Sequence, residues 1–473
     1  MAEAGNTVVL YPAPGIGHVV SMVELGKLIL RRSPDKTLSV TILLTTGLLD
    51  SASLSAYILR VSQSNPSITF VRFPYTKPTS APISPVAIQF DFIERNAVHV
   101  RTALTSITQP AKIHAFVIDF FCPSALPIAR QLNLDTFYFF TSGTAVLGMY
   151  LYFPTIHRMG FEKSFRELTT TFLDFPGLPP IRASHVPQPL LDSEDPAYAY
   201  TIICCEQMAK ASGIVVNTFE GFEPDAEKAL ADGAYLPDTA TPPVYYIGPL
   251  IADPNEQKSE ERVDEETGRV FSWLDQQKDQ SVVFLCFGSR GVFSAAQLRE
   301  MAAGLENSGV RFLWVVKNPE RTMTDFDLEA LFPAGFLSRT ENRGLVVKSW
   351  APQVDILRHT AVGGFVTHCG WNSVLEAVAA GVPMVAWPLY AEQFVNRAVM
   401  VESMEMAIGI EEDENGFVSA GELEKKVKEL MGSEKGRALR ERSLRMKEMS
   451  SAALADSGSS TAALMKLLEV WNG

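Results

Sequence analysis

The sequence is poor in cysteine, has no excess of basic residues and lacks a long uninterrupted apolar run, and each of these absences excludes a class of protein. Its five cysteines form no CxxC pair and no metal-ligand spacing, so we expect reduced thiols and a cytoplasmic location. No uncharged apolar segment reaches the roughly 18 residues that a membrane-spanning helix needs. The N-terminus has no basic cluster before a long apolar run, so we expect no signal peptide.

The net negative charge of the chain disfavours some classes of binding partner. The chain has 41 basic and 54 acidic residues and a formal charge of −13, which disfavours nucleic acid and anionic membranes. Hydrophobic residues make up 47% and charged residues 20%, a composition typical of globular proteins rather than disordered ones. A length of 473 residues accommodates two or three domains, each with a sizeable core.

The N-terminal half alternates strand-like and helix-like segments. Thr7–Tyr11 predicts a buried strand, and the Gly-rich turn after it brings His18 to the start of a helical pattern. Val20 stands where a dinucleotide fingerprint needs its third glycine, so that motif is weak here. A later strand ends at Asp119, which places this carboxylate at the sheet edge where α/β folds bind ligands.

Composition shifts along the chain predict the domain boundaries. Prolines and then charges dominate the residues around 239–268, so we interpret 248–278 as an exposed linker. A second strand–turn–helix series follows, with a turn at Gly288–Gly291 and a capping box at Ser294. The predicted organisation is a first Rossmann-like domain at 1–247, a second at 279–455 and a C-terminal helix at 456–473.

The stretch Trp350–Gln393 carries the densest set of candidate binding residues. Its central strand ends in a turn with His368, Asn372 and Ser373, and a helix follows that stops at Gly381. A helix N-terminus offers unpaired N–H groups and partial positive charge, so this turn suits a phosphate. Glu376 lies one turn further along the same helix face as Asn372, where its carboxylate can accept from ribose hydroxyls.

This stretch resembles, from end to end, the signature box of the plant family 1 UDP-glycosyltransferases. The resemblance implies a GT-B fold, an α/β architecture in which two Rossmann-like domains face each other across a cleft. It also implies that the last helix packs back on the N-terminal domain. For the donor it implies UDP-binding and sugar-binding roles for residues on several loops. The UDP set is Ser289, Trp350, Ala351, Gln353, His368, Asn372, Ser373 and Glu376, and the sugar set is Thr141, Trp371, Glu392 and Gln393.

The same resemblance assigns the catalytic pair. His18 matches the general base of the family and Asp119 the carboxylate that orients it, and Phe120 and Phe121 next to Asp119 are candidates for the acceptor pocket. A neutral imidazole takes a phenol proton only as the new bond forms, which predicts direct displacement with inversion. We expect no metal cofactor, since helix dipole and side-chain donors hold the leaving UDP. Asp325-Phe326-Asp327 spells a DxD motif but follows no strand.

The predicted activity is transfer of glucose from UDP-glucose to a hydroxyl of a phenolic plant metabolite such as a flavonoid or chalcone. In the family that the sequence resembles, Trp371 indicates glucose rather than glucuronic acid as the donor sugar, and Gln393 indicates glucose rather than galactose. C-glucosylation of a polyphenol, epimerisation of a UDP-sugar and non-catalytic binding of a small molecule remain alternatives. The expected partners are the two small-molecule substrates, and the expected state is a monomer.

Overall fold

The computed structural model describes residues 5–80, 83–109, 111–161, 163–252, 261–320 and 326–472. They form two compact units. Unit 1 combines Met1–Glu256 with Ala452–Gly473, and unit 2 is Gln257–Ser451. None of the helices in the described ranges is both long enough and apolar enough to cross a membrane.

The first unit is built on a parallel sheet of seven strands in the order β3-β2-β1-β4-β5-β8-β9. The inner strands, such as β5 and β8, are buried on both faces, which explains why they read as continuous apolar runs rather than alternating ones. A separate antiparallel hairpin pairs β6 with β7. The strands are β1 (Gly5–Tyr11), β2 (Ser39–Leu44), β3 (Ile68–Arg72), β4 (Ala111–Asp119), β5 (Thr136–Phe140), β6 (Phe172–Leu173), β7 (Ile181–Arg182), β8 (Gly213–Val216) and β9 (Val244–Tyr246).

The second unit repeats the arrangement with six parallel strands in the order β12-β11-β10-β13-β14-β15. This is the strand order of a dinucleotide-binding fold. Successive strands are added on one side of β10 up to β12, and from β13 onwards they are added on the other side. The register pairs Cys286 with Thr367, so the two central strands end side by side. The strands are β10 (Val282–Cys286), β11 (Arg311–Val316), β12 (Gly344–Lys348), β13 (Val362–Thr367), β14 (Met384–Ala386) and β15 (Ala407–Gly409).

Helices follow nearly every strand and cover the sheet faces. In chain order they are α1 (Ile16–Arg32), α2 (Ala52–Ser64), α3 (Pro85–Arg95), α4 (Ala97–Thr108), α5 (Ala125–Gln131), α6 (Thr144–Met159), α7 (Pro196–Met208), α8 (Pro224–Ala231), α9 (Glu261–Leu274), α10 (Ala295–Ser308), α11 (Leu328–Leu331), α12 (Phe336–Thr340), α13 (Gln353–Arg358), α14 (Trp371–Ala380), α15 (Gln393–Ala398), α16 (Ala420–Gly432), α17 (Glu434–Leu454) and α18 (Ser459–Asn472).

Local sequence signals account for several helix ends. The hydroxyl of Ser294 accepts from the backbone N–H of Gln297 at 3.2 Å, and Ser419 caps α16 in the same way. Gly381 ends α14 in the left-handed conformation that favours glycine, with φ of +76°. These three ends lie where the capping patterns predict them.

The last helix, α18, belongs to the core of unit 1. Leu464, Leu467, Leu468 and Trp471 form its buried stripe and join the cluster under the seven-stranded sheet. The indole of Trp471 meets the ring of Phe137 edge-on, with centroids 5.5 Å apart. Burying this stripe ties the two ends of the chain into one unit, because an exposed stripe of this kind would be costly.

The interval that the sequence analysis interprets as an exposed linker contains regular structure. Helix α9 runs through its second half, with Val270 and Leu274 fully buried. Most other residues of this helix are charged or polar, so the composition of the segment resembles that of an exposed linker. Residues 253–260 of the predicted linker lie outside the described residues. The first segment of unit 1 ends at Glu256, whereas the predicted first domain ends at residue 247.

Candidate active site

The candidate residues lie at the carboxyl edges of the two sheets, next to the points where strand order reverses. In unit 1 the switch separates β1 from β4, and His18 follows the first strand while Asp119 ends the second. In unit 2 it separates β10 from β13, and the turns beginning at Phe287 and His368 emerge there. Loops leave a doubly wound sheet in opposite directions at such a point and open a crevice for ligands.

The pair His18 and Asp119 is hydrogen-bonded. The imidazole Nδ1 lies 2.9 Å from Asp119 Oδ2, and the other carboxylate oxygen accepts from the backbone N–H of Phe121 at 3.0 Å. Asp119 is only 2% exposed, whereas His18 keeps 28% of its side chain accessible. An ionised carboxylate can only accept, so Nδ1 is the donor and Nε2 carries the lone pair. The pair therefore has the geometry of a base held in one tautomer.

Aromatic rings surround this pair within unit 1. The ring of Phe121 meets the imidazole of His18 edge-on at 5.6 Å and contacts Phe90, which stacks on Tyr200 at 4.4 Å. On the other side Phe120 packs on Tyr150 with centroids 4.6 Å apart. Phe121 is half-buried, whereas Phe120 is 4% exposed. The half-buried rings suit contact with a flat apolar ligand, and the buried ones support them.

Thr141 lies on the loop between β5 and α6, half-buried at the same sheet edge. The helix after it is capped by a buried carboxylate. Glu223 is 3% exposed and accepts from the backbone N–H groups of Thr144 and Ala145 at 2.6 and 3.1 Å. Burial raises the pKa of Glu223 to about 7, although both hydrogen bonds oppose the shift. The carboxylate of Glu223 therefore occupies the anion-binding position at the N-terminus of this helix.

In unit 2, His368 is enclosed by glycines. A Cβ atom on Gly288 or on Gly370 would come within 2.5 Å of His368 Nε2, so only glycine fits at either position. Burial and the nearby ammonium of Lys317 lower the pKa of His368 to about 4. The imidazole is therefore neutral at pH 7. It lies next to Ser289, which is exposed on the turn after β10.

A polar network links α13 to α14. The amide nitrogen of Gln353 donates to the hydroxyl of Ser373 at 2.8 Å and to Glu376 Oε2 at 2.6 Å. Burial raises the pKa of Glu376 to about 7, and the Gln353 hydrogen bond opposes the shift. Asn372 is exposed at the start of α14, whereas Trp371 is buried. The predicted UDP-binding residues Gln353, Ser373 and Glu376 thus meet in space.

The loops that carry these residues contain left-handed backbone at non-glycine positions. Ser349, Cys369 and Ala391 have φ values of +66°, +64° and +57°. They precede Trp350, the start of α14 and Glu392, respectively. Such conformations cost about 1–3 kcal/mol and concentrate at ligand sites. The three loops follow β12, β13 and β14 and so leave the same carboxyl edge of the second sheet, which is the candidate binding surface.

The remaining predicted residues are distributed around this surface. Trp350 is 38% exposed and Ala351 beside it is buried, so the indole presents a face to solvent. Gln393 is buried at the start of α15, and its side-chain oxygen accepts from the N–H groups of Leu389 and Tyr390 at 2.9 Å each. Glu392 is half-buried as the N-cap residue of the same helix.

Two other motifs have structural explanations. Trp387 follows directly after β14 and is 1% exposed in the core of unit 2. Asp327 of the DxD motif accepts from the N–H of Glu329 at 2.9 Å and caps α11, while Asp325 lies outside the described residues. Within the described ranges, no group of three or more His, Cys, Asp and Glu side chains is arranged to hold a metal ion.

Sequence reasoning missed several residues of these surfaces. Lys317, Glu223, Phe90 and Tyr200 lie far along the chain from the motifs that they support, and nothing in their local sequence marks them. The only available signal concerns Lys317, which directly follows the apolar run that forms β11, since the residue after a parallel strand lies at the ligand-binding edge.

Comparisons with known proteins agree on the family. The model of the family "UDP-glucoronosyl and UDP-glucosyl transferase" matches residues 236–446. The chain is 55% identical to UDP-glycosyltransferase 88F3 of Pyrus communis, over 98% of this chain and 99% of the relative. It is 53% identical to phloretin 2'-O-glucosyltransferase of Pyrus communis, with the same coverage.

Solved structures extend the similarity to the fold. Phytolacca americana UGT2, complexed with UDP-2fluoro-glucose and pterostilbene, matches with a TM-score of 0.87 at 32% identity, over 99% of this chain and 100% of that one. Medicago truncatula UGT71G1, complexed with UDP-glucose, matches with a TM-score of 0.86 at 33% identity, over 99% of each chain. The expected α/β architecture with two parallel-sheet domains is confirmed. The chain belongs to the UDP-glycosyltransferase family and is a transferase of the GT-B fold.

Proposed function

We propose that this enzyme transfers glucose from UDP-glucose to a hydroxyl of a phenolic acceptor such as a flavonoid or chalcone, with inversion at the anomeric carbon. The relatives named for phloretin support the acceptor class, since two of them are 53% and 52% identical to this chain over nearly its whole length. The ring cluster of Phe90, Phe121 and Tyr200 supports a flat aromatic acceptor in unit 1.

The hydrogen-bonded pair of His18 and Asp119 is the main support for this proposal. Because Asp119 fixes Nδ1 as the donor, His18 Nε2 is the base that accepts the phenol proton while the oxygen attacks the anomeric carbon. The imidazolium that forms is stabilised by the buried carboxylate 2.9 Å away. The bond from the anomeric carbon to the diphosphate breaks in the same step, and UDP leaves with the electron pair. A single displacement inverts the configuration.

The donor is assigned to unit 2. Trp350 presents its exposed indole face to the uracil, and Glu376 accepts from the ribose hydroxyls. The start of α14, His368 and the Gly288–Ser289 turn hold the diphosphate through N–H and hydroxyl donors. With these donors in place the proposal requires no metal ion. We therefore expect EDTA to leave the initial rate unchanged after exhaustive dialysis, and restoration of a lost rate by Mg²⁺ would contradict this part of the proposal.

The test is incubation with UDP-glucose and a panel of phenols that includes phloretin. We expect a product heavier than the acceptor by one hexose, an O-linkage that acid hydrolyses, and an anomeric proton coupling typical of a β-glucoside. An acid-stable C-linkage would support C-glucosylation, and conversion of UDP-glucose without acceptor would support an epimerase. The variant His18→Ala is the control, since a non-catalytic binder would retain phenol binding and show no turnover in either form.

A further inference from the structure

Lys317 occupies an unusual position for a lysine. It follows directly after β11 at the carboxyl edge of the second sheet and is half-buried there. Its Nζ donates a hydrogen bond to the backbone carbonyl of Gly288, in the turn after the neighbouring strand β10. The side chain therefore lies beneath the turn that carries Ser289.

The ionic surroundings of Lys317 differ from those of other half-buried lysines. Among the described residues it forms no ion pair with a carboxylate, whereas other half-buried lysines do, such as Lys426 with Glu422 at 3.4 Å. Two titratable groups act on its surroundings, the buried thiol of Cys286 from β10 and the imidazole of His368 from the loop after β13. Desolvation lowers the pKa of Lys317 and the thiol opposes the shift, while the ammonium in turn helps to keep His368 neutral.

A partly desolvated ammonium without a counter-ion is unfavourable by itself, because a buried charge needs a partner. Binding of an anion next to the ammonium group removes this cost. The adjacent turn combines left-handed backbone at Gly288, with φ of +68°, and the exposed hydroxyl of Ser289. Arg290 on the same turn lies over the ring of Tyr390, with its guanidinium carbon 5.3 Å from the ring centroid. With His368 neutral, Lys317 is the half-buried cation that hydrogen-bonds to this turn, through the carbonyl of Gly288.

We propose that Lys317 binds the diphosphate of the donor electrostatically and neutralises the charge that develops on UDP as it leaves. The inference deepens the proposed function and rests on it for the identity of the donor. As the glucosyl carbon–oxygen bond breaks, its electron pair passes to the β-phosphate, and the acceptor oxygen forms the new bond. The phenol proton passes to His18, so Lys317 contributes charge and exchanges no atom.

Binding measurements separate this role from a structural one. We would titrate UDP and, separately, uridine into the wild type and into Lys317→Met, which keeps the length of the side chain and removes its charge. UDP affinity should fall about 10- to 150-fold, the range for loss of one charge-assisted hydrogen bond, while uridine affinity stays within about twofold. Lys317→Arg should recover most of the UDP affinity. Lys426→Met is the matched control, and its UDP affinity should equal that of the wild type.

Each result decides the question. Equal UDP affinity in the wild type and in Lys317→Met overturns the inference, and so does loss of both UDP and uridine binding, which would make the lysine a structural residue. Turnover separates the inference from the proposed function. A wild type that binds UDP but glucosylates no phenol contradicts the proposed transfer alone. A selective loss of UDP affinity in Lys317→Met still supports the role of the lysine in that case.

Discussion

Replacing Asp119 by Asn tests how much the buried carboxylate contributes to the proposed base. Asp119 is 2% exposed and makes two hydrogen bonds, one to His18 at 2.9 Å and one to the N–H of Phe121 at 3.0 Å. Asparagine has nearly the same shape, so the fold and the second bond should survive. An amide has one acceptor oxygen, so its NH2 group then faces His18 Nδ1 and the bond that Nδ1 donates is lost. A hydrogen bond to a charged group contributes about 1.5–3 kcal/mol.

Converted at 1.36 kcal/mol for each factor of ten, this loss predicts a kcat about 10- to 150-fold lower in Asp119→Asn. KM for UDP-glucose should change little, because the proposed UDP-binding residues lie in unit 2. Initial rates at saturating donor with phloretin as acceptor provide the measurement. Asp135→Asn is the control, since Asp135 accepts from Ser212 at the surface, 3.1 Å away, before β5. An unchanged kcat in Asp119→Asn would refute the assignment of His18 as a base oriented by this carboxylate.

Three further predictions concern stability and binding. The pKa of Glu223 is raised from 4.5 to about 7, so the folded state binds its proton more tightly than the unfolded chain, and stability is lost as pH rises through that range. The wild type should therefore lose up to about 3 kcal/mol between pH 5 and pH 8 relative to Glu223→Gln, measured by urea unfolding. Gly148→Ala should destabilise unit 1 by about 1–3 kcal/mol or more, again in urea, because its Cβ would lie 2.1 Å from the buried ring of Tyr235. Gly288→Ala should weaken UDP binding at least about fivefold in calorimetry, because a residue forced to positive φ costs about 1 kcal/mol or more and its Cβ would displace His368.

Matched variants control these three measurements. Gly17→Ala should keep wild-type stability, because nothing lies within 4 Å of the added Cβ, and a loss equal to that of Gly148→Ala would contradict the clash. Glu94→Gln, which removes an exposed helical carboxylate, should show the pH dependence of the wild type. Gly421→Ala, another open glycine position, should leave UDP affinity unchanged, and normal affinity in Gly288→Ala would show that the turn tolerates a side chain.

Much of the fold could be predicted from the sequence because its signals are local. Strands buried on both faces appear as continuous apolar runs, and capping residues such as Ser294 and Ser419 act on N–H groups three positions away. The family was identified from one contiguous stretch, and the comparisons confirmed it. The roles of the individual site residues remain predictions, to be decided by the variants above.

The partners of those residues could not be predicted, since they come from distant parts of the chain. Lys317 reaches Gly288 from another strand, and Glu223 caps a helix that begins at Thr144. The linker prediction missed α9 for a related reason. In the part of this helix whose burial is described, 265–274, the fully buried positions are Val270 and Leu274. So short a stripe has too weak a periodic signal to stand out among charged residues.

The sequence by itself determined the order of strands and helices, the helix caps and the set of donors and acceptors at the signature stretch, because these depend on residues a few positions apart. Tertiary structure decided which groups meet and what charge they carry. Only the packing of β4 beside β1 brings Asp119 to His18. Burial and the neighbouring charge of Lys317 keep His368 neutral, and Lys317 is the cation beside it. The physical reason is that solvation and long-range contacts set the protonation of a side chain, and neither is encoded in its immediate neighbours along the chain.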